Sequence, residues 1–402
     1  MIPHLFFAAV CPLGATLLAL LTFNYKKHPV QIAAVLGLCF AIAFYGLRLD
    51  SSNDIARHIA LLQNYERVDV FHCFGAGHYD ALFVWDIWCW IVAKIGDPYL
   101  LQSSAAFVGY AIIGYIVADC SGRLQADRYI TAAAFFHIVA AIPFLWVVCG
   151  IRSTIALLVC ALAAYLYFTD KIKLSGAFIL SLVGVFIHFV AILSVLLLLM
   201  SSLIANTQVK GIALIFAVTL ASAVIGNLVY PIIEGIGNPV AQVLASALEA
   251  FLGYSEGDNW TEAQSSSLNT RVNIAFTFLW ILFLVYNVVR LEKSRGANGK
   301  GISSMNALSL SVAAVTVALS SVLESNGTRL VPVLFALGET SVIARMAGEP
   351  PSANKSLFVV DCIGMILASA LFVLHGYSVA YGIVETSSFI STAFFGVIGA
   401  FL

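Results

Sequence analysis

Long apolar runs follow one another through most of this sequence, and they restrict its fold more than any motif does. The hydrocarbon core of a bilayer is about 30 Å thick, so a helix needs about 20 apolar residues to cross it, and lipid offers no partner for backbone N–H and C=O groups. The runs predict about eleven membrane-spanning helices. They lie near residues 3–23, 29–47, 99–118, 129–149, 152–168, 174–200, 211–230, 272–289, 305–323, 330–346 and 356–376. Further segments that are marginal as spans are 81–96, 238–254 and 387–402.

The low content of charged residues supports this interpretation. Charged residues make up 10% of the chain and hydrophobic residues 61%, whereas soluble domains average about 25% charged residues. The net charge of -1 provides no basic surface for nucleic acid. The 8 cysteines show neither a CxxC pattern nor the spacing of metal ligands. We therefore predict an all-α, polytopic integral membrane helix bundle of about 11–14 membrane segments, a single domain over residues 1–402 without a metal site.

Positive charges between the runs give the expected orientation, because cytoplasmic loops are enriched in Lys and Arg. Lys26 and the basic stretch 290–300 are predicted to lie in the cytoplasm. The loops at about 48–80 and 254–271 are predicted to lie outside it. The count of Lys and Arg does not decide whether 81–96 crosses the membrane or is re-entrant, because the two versions give nearly the same balance.

Ionisable side chains cluster where the second run ends, in YGLRLDSSNDIARH. Arg48 ends the run, and Asp50 and Asp54 follow it. One interpretation is a snorkelling arginine beside two solvated acids. The other is an anion-binding arginine beside a carboxylate that acts as a base or orients one, since a planar guanidinium can bind two phosphate oxygens at once.

The residues after this cluster predict a short amphipathic helix on the outer surface. Ile55, Ile59 and Leu62 fall on one helical face, whereas His58 falls elsewhere around the helix. This pattern suits a helix that lies at the membrane interface rather than one that crosses it.

Three further ionisable residues stand out against apolar surroundings. Arg152 lies between two apolar runs, Arg329 precedes another, and His188 lies within a run that has no ionisable neighbour. Each has a structural interpretation: an arginine that pins a turn, a snorkelling anchor or an interhelical hydrogen bond. Each also has a functional one, with the arginines binding an anion at a cavity rim and the histidine acting as donor or general base.

The order of these elements resembles the O-antigen and exopolysaccharide polymerase family, the Wzy-type proteins and especially their EpsG-like branch. YGLRLD fits the arginine and acid that follow the family's second span. YDALF is similar to its acid-Pro-Leu-Phe stretch, with Asp80 for Glu and Ala81 for Pro. GIRSTIA matches its Ile-Arg-Gln-x-Ile-Ala stretch, with Ser153 for Gln. FIHFVA corresponds to Phe-His-x-Ser-Ala, with Val190 for Ser, and Arg329 to a late Arg-Leu.

The resemblance implies a metal-independent membrane glycosyltransferase of the GT-C type in the bacterial inner membrane, with its active site facing the periplasm. Such an enzyme moves a growing glycan from undecaprenyl pyrophosphate to the non-reducing end of a lipid-linked repeat unit, and it needs no cofactor. The resemblance also implies that 81–96 is re-entrant. The expected partners are the undecaprenyl-pyrophosphate-linked oligosaccharide and membrane lipid. A chain-length regulator protein is a further candidate partner, and no nucleic acid is expected to bind.

The expected site residues form two groups. Candidates for the base, or for holding the acceptor sugar, are Asp50, Asp54 and His188. Candidates for binding pyrophosphate or glycan are Arg48, Arg152, Arg329, Asp80 and Trp260. Pyrophosphate leaves readily once its charge is stabilised, so arginines can take the place of a metal ion.

Other functions fit the same features. A different GT-C glycosyltransferase with a polyprenyl-phosphate sugar donor would use Asp50 and Asp54 as its acid pair. An O-antigen ligase would share the pyrophosphate donor and use lipid A core as acceptor. A transporter or flippase of lipid-linked glycan would also need arginines in a cavity, but it should show an internal repeat, and the surroundings of Arg48 and Arg152 have no convincing repeat in the second half.

Overall fold

The structure is a computed structural model, and all the elements it describes are helices and turns. It describes residues 2–45, 47, 54–74, 76, 82–142, 147, 150–204, 268–293, 300–322, 330–348 and 395–396, and these contain no strand. In chain order the helices are α1 (Ile2–Val10), α2 (Pro12–Thr22), α3 (Pro29–Tyr45), α4 (Asp54–Glu66), α5 (Phe83–Ile95), α6 (Tyr99–Leu124), α7 (Arg128–Ala141), α8 (Ile151–Phe168), α9 (Leu174–Val185), α10 (Ala191–Ile204), α11 (Leu268–Lys293), α12 (Lys300–Val322) and α13 (Val331–Gly348).

Several of these helices have the length and composition of membrane spans. Among the described residues, α6, α8 and α13 are long and apolar enough to cross a membrane. α2, α3, α7, α9 and the central parts of α11 and α12 are shorter apolar helices. The prediction of an all-α helical membrane protein is confirmed. The expected spans at 211–230 and 356–376 and the marginal segment 238–254 lie outside the described residues.

α3 and α6 have the most extensive contact of any two described helices, and glycines make their close approach possible. A Cβ atom at Gly37 would lie 2.7 Å from the carbonyl oxygen of Phe107, and one at Gly122 would lie 2.9 Å from the backbone of Lys26. Small residues let helix backbones approach in this way within a membrane, where packing replaces the hydrophobic driving force. Because residue 37 faces 107 and residue 26 faces 122, the two helices run antiparallel.

The start of α6 lies beside the end of α3. The amide nitrogen of Gln102 donates hydrogen bonds to the carbonyl oxygens of Phe44 at 2.7 Å and Leu47 at 2.9 Å, and the hydroxyl of Tyr45 donates to the carboxylate of Asp97. The chain therefore leaves α3 and enters α6 at the same end of the bundle. The stretch between them therefore makes no net crossing, which agrees with the re-entrant 81–96 that the resemblance implies.

α8 runs parallel to α6, which defines two ends of the bundle. Its first turn carries Arg152, whereas Arg123 near the end of α6 donates a hydrogen bond of 2.8 Å to the carbonyl oxygen of Thr169, just after α8. We call the end with the first turn of α8 the Arg152 end. The opposite end, where the turn after α8 carries Lys171, is the Lys171 end. Lys26, predicted to be cytoplasmic, lies at the Lys171 end because it packs against Gly122.

The first apolar run is two helices rather than the single span predicted for 3–23. α1 ends at Val10, and α2 begins at Pro12. Proline has no backbone N–H to donate to the preceding turn and its ring disfavours a continuous helix, but it fits well at the first helical position. The prediction of one continuous helix here was wrong because it counted apolar residues and gave Pro12 no weight.

The run at 174–200 is also broken, although it contains no proline. α9 ends at Val185 and α10 begins at Ala191. In the turn between them, the backbone N–H of Val190 donates to Nδ1 of His188 at 3.2 Å. The carbonyl oxygen of Phe186 accepts a 3.3 Å hydrogen bond from the backbone N–H of Trp85. The backbone groups released by the break are thus bonded to a side chain and to another helix.

Candidate functional site

Arg152 is a buried cation in the first turn of α8. Gly150 precedes the helix as its N-cap, and the Arg152 side chain is only 6% exposed. Its guanidinium carbon lies 5.9 Å from the centre of the Trp85 ring, within the range of a cation–π interaction. A cation is disfavoured at the positive N-terminal end of a helix. Its burial there, against an aromatic ring, agrees with the sequence interpretation of a charge-binding residue; the alternative, an arginine that pins the turn before α8, would place the same side chain at the same helix end.

α5 lies across the Arg152 end and carries a buried acid that sequence reasoning left without a role. Asp86 occupies the first turn of α5 and is 1% exposed. The hydroxyl of Tyr65, on α4, donates a 2.6 Å hydrogen bond to Asp86 Oδ1. Burial and this bond raise the pKa of Tyr65, which therefore stays protonated as the donor. The available sequence signal was a single acid inside an aromatic segment.

α4 packs on α5 through a face that includes His58. Ile55, His58, Leu62 and Tyr65 are all buried, and the His58 ring meets the Trp85 ring edge-on with centroids 5.2 Å apart. The expectation that His58 lies away from the Ile55 face was wrong. At 3.6 residues per turn, positions three, seven and ten residues after Ile55 return to nearly the same side of the helix.

The remaining tryptophans of α5 fasten it to its neighbours. Trp88 donates from Nε1 to Ser104 Oγ at 2.9 Å, and Trp90 donates from Nε1 to the carbonyl oxygen of Val68 at 3.1 Å. Lys94 Nζ donates to the carbonyl oxygen of Glu66 at 2.7 Å. α5 therefore joins α4 and the turn after it to α6, and the indole N–H groups of Trp88 and Trp90 bond within the protein.

His188 lies in the turn between α9 and α10, beside the start of α5. Its side chain is half-buried. Because its Nδ1 accepts the backbone N–H of Val190, a neutral ring in this position carries its proton on Nε2. The bond between Trp85 and Phe186 ties the turn to α5, so the structure brings His188 and Arg152 to the same end of the bundle.

The other predicted site residues cannot be placed from the described part of the chain. Asp54 begins α4, and its side chain lies outside what is described. The rest lie outside the described residues altogether: Arg48, Asp50, Asp80, Trp260 and Arg329. Their convergence with Arg152 remains a prediction.

A second group of buried polar side chains lies between α7, α11 and α13, and sequence reasoning gave none of them a role. His137 Nδ1 and Glu339 Oε2 are 2.7 Å apart, and both side chains are fully buried. Arg345 donates from Nε to Asn287 Oδ1. Buried polar side chains of this kind join helices in a membrane, and these connect α13 to two neighbours.

A second tyrosine–aspartate pair lies at the Lys171 end. The hydroxyl of Tyr165 donates a 2.6 Å hydrogen bond to Asp119 Oδ2. Lys171 donates to the other oxygen of Asp119 and, at 2.9 Å, to the hydroxyl of Tyr115. This network fastens the turn after α8 onto α6. Among the described residues, no group of three or more His, Cys, Asp or Glu side chains could hold a metal ion.

The sequence matches the model of one protein family, described as the EpsG family, over residues 31–388. This range includes Arg152, Asp86, Tyr65 and His188, and it confirms the EpsG-like resemblance. No curated protein and no solved structure matches the chain.

Proposed function

Because the chain belongs to the EpsG family, we propose that it is a membrane glycosyltransferase that polymerises lipid-linked polysaccharide repeat units. It transfers a growing glycan from undecaprenyl pyrophosphate to the non-reducing end of a lipid-linked repeat unit. The Arg152 end faces the periplasm of a bacterial inner membrane. The family match over most of the chain supports the activity, and the burial of Arg152 at the start of α8 supports the position of the site.

The reaction forms one glycosidic bond and breaks one bond to phosphate. A hydroxyl oxygen of the acceptor sugar attacks the anomeric carbon of the donor glycan. The bond between that carbon and the pyrophosphate oxygen breaks, and its electron pair leaves with undecaprenyl pyrophosphate. A base takes the proton of the attacking hydroxyl. The protein therefore has to hold two lipid-linked substrates in line and to stabilise negative charge on the leaving group.

Arg152 is the proposed anchor of the donor pyrophosphate. Its planar guanidinium can bind two phosphate oxygens at once. The N-terminal end of α8, with the partial positive charge of the helix dipole, attracts the same anion. Arg48 and Arg329 are proposed to supply further positive charge, and Asp80 and Trp260 to contact the glycan.

The position of His188 favours a division of labour between the candidate bases. With Nδ1 accepting a backbone N–H, the neutral ring presents Nε2–H, which donates a hydrogen bond and does not accept a proton. His188 therefore suits the binding of a sugar or phosphate oxygen. Asp50 and Asp54 are the proposed bases.

The decisive experiment compares glycan ladders from membranes that contain the wild-type chain or the variant Arg152→Ala. We expect the variant to accumulate single repeats and to lose the ladder. Arg128→Ala is the matched control, because Arg128 is exposed at the Lys171 end and should leave the ladder intact. A normal ladder from Arg152→Ala would remove this residue from the mechanism.

The same product analysis separates the polymerase from the other glycosyltransferases. A ladder of repeats in the wild type identifies a polymerase. Addition of one sugar identifies a transferase with a polyprenyl-phosphate donor, and loss of attachment to lipid A core on deletion of the chain identifies a ligase.

A further inference from the structure

We propose that Asp86 is a positioning residue of the transfer reaction, which together with Tyr65 fixes Trp85 and thereby the place of Arg152. This inference rests on the function proposed above. It adds to that function a carboxylate that does not touch the substrate and acts through its neighbours.

The bond between Tyr65 and Asp86 is a specific link between α4 and α5. It is 2.6 Å long, and both side chains are 1% exposed. A hydroxyl that donates to a carboxylate makes one of the stronger hydrogen bonds in proteins, and its strength rises where water is excluded. The other hydrogen bonds described between α5 and the end of α4 or the turn after it are accepted by backbone carbonyl oxygens, of Glu66 and Val68.

Fixing Asp86 also fixes Trp85, its neighbour in the chain. Trp85 has two contacts that matter at this end of the bundle: its ring lies against the Arg152 guanidinium, and its backbone N–H donates to the carbonyl oxygen of Phe186. The first contact orients the proposed pyrophosphate anchor, and the second holds the turn that carries His188. One buried hydrogen bond thus stabilises the surroundings of two proposed site residues.

Asp86 and Arg152 lie in one neighbourhood, because Trp85 adjoins Asp86 in the chain and its ring lies 5.9 Å from the Arg152 guanidinium. Both residues are buried. In a poorly solvated region the attraction between opposite charges extends further than in water. A negative charge at Asp86 therefore helps to hold the guanidinium in place before the substrate arrives.

Burial distinguishes this role from that of the catalytic base. Asp86 is covered by Tyr65, and its carboxylate already accepts a proton-bearing hydroxyl. With only 1% of Asp86 exposed, a sugar hydroxyl does not reach it in this structure. We therefore assign Asp86 to positioning and leave proton transfer to the proposed bases Asp50 and Asp54.

The test uses the full chain in lipid vesicles, with lipid-linked repeat units extracted from a strain that lacks the chain. Tyr65→Phe removes the hydrogen bond, and Asp86→Asn keeps an acceptor oxygen but removes its charge; each should lower kcat about 10- to 100-fold, as expected when a buried hydrogen bond to a charged group is lost or loses its charge. The KM for the lipid-linked repeat should change less than about twofold, because the loss falls on the transition state. The double variant should show less than the product of the two single effects, since both changes act on the same bond.

The pair at the Lys171 end provides the matched control. Tyr165→Phe removes a hydroxyl with the same 2.6 Å bond to a buried aspartate, far from Arg152, and should leave kcat per folded molecule unchanged. The folded fraction of every variant is measured by thermal unfolding in detergent. If Asp86→Asn does not fold, Tyr65→Phe decides the question, because it retains the ring and the packing.

The outcomes separate this inference from the proposed function. A normal kcat in Tyr65→Phe and Asp86→Asn, with activity lost in Arg152→Ala, would overturn the positioning role and leave the proposed function standing. Equal losses in Tyr65→Phe and Tyr165→Phe would also overturn it, because the effect would then be general. A normal ladder from Arg152→Ala would instead mean that the proposed site is wrong.

Discussion

Two tyrosine–aspartate pairs of the same geometry lie at opposite ends of the bundle. Tyr65 donates to Asp86 at the Arg152 end, and Tyr165 donates to Asp119 at the Lys171 end, each at 2.6 Å. Their surroundings differ. Asp119 binds Lys171, a residue of the adjoining turn, whereas Asp86 is next to the tryptophan that contacts Arg152. The same bond therefore closes a turn at one end and supports a buried cation at the other.

The two cations are held in different ways. Lys171 is about one-third exposed and has its acid partner beside it, as in an ordinary salt bridge at the edge of a bundle. Arg152 is buried against an aromatic ring at the N-terminal end of a helix. A point charge is sufficient at the first position, whereas a planar group that can bind two oxygens is suited to the second. This difference leads to four predictions.

The largest effect is expected from exchanging the cations. Arg152→Lys keeps the charge but loses the planar guanidinium that can bind two phosphate oxygens at once. We therefore expect polymer formation to fall on the order of tenfold or more. Lys171→Arg should leave polymer length and amount unchanged. Both are measured as glycan ladders at equal protein level. Equal ladders from both variants would mean that Arg152 acts only as a point charge.

The second effect concerns stability and should appear only at the Lys171 end. Asp119→Ala leaves Tyr165 without its acceptor and Lys171 without its counterion, and we expect the free energy of unfolding to fall by about 2–3 kcal/mol. Unfolding in detergent and SDS mixtures measures it. Asp170→Asn, at an exposed position of the same turn, is the control and should be nearly neutral. A lower kcat per folded molecule in Asp119→Ala would contradict a purely structural role for this pair.

The third effect tests the close contact between α3 and α6, the two helices that run between the two ends of the bundle. Gly37→Ala places a Cβ atom 2.7 Å from the carbonyl oxygen of Phe107, so α3 and α6 must separate, and we expect a loss of about 1–3 kcal/mol in unfolding free energy. Gly176→Ala has only ordinary contacts, 3.5 Å or longer, to Ile172. It should stabilise its helix by up to about 1 kcal/mol. Equal effects of the two substitutions would show that the α3–α6 approach is not tight.

The smallest effect is a pH dependence at the Lys171 end. Burial lowers the pKa of Lys171, but its hydrogen bonds to Asp119 and Tyr115 outweigh burial, and the net pKa is raised above 10.5. A raised folded pKa gives stability that is complete below the unfolded value and is lost as pH rises through the folded value. The difference in melting temperature between wild type and Lys171→Met should therefore be constant up to about pH 10 and shrink above it. A difference that shrinks already between pH 7 and 9 would contradict this assignment.

The sequence predicted the helical bundle well because the bilayer imposes a single rule on it. A run of about 20 apolar residues has to satisfy its backbone internally, and a helix does so whatever its neighbours are. The break at Pro12 could have been predicted from proline chemistry. The break after Val185 could not, because the run contains no proline there and one of the bonds at the break comes from Trp85, which is far away in the sequence.

The site was predicted only in part, for a related reason. Arg152 and His188 stand out because their sequence neighbours are apolar. Asp86 can be assigned a role only from its hydrogen bond with Tyr65, 21 positions away. Glu339 likewise pairs with His137, 202 positions away. Apolar runs identify the helices, but only folding brings such partners together.

The adjoining ends of α3 and α6 have a consequence for how the chain between them can vary. The stretch from Leu47 to Gly96 is inserted between two neighbouring helix ends that the Tyr45 bond to Asp97 holds together. Its length and sequence can therefore change without reversing the direction of any later helix, as long as the Trp85 contacts with Arg152 and Phe186 are kept.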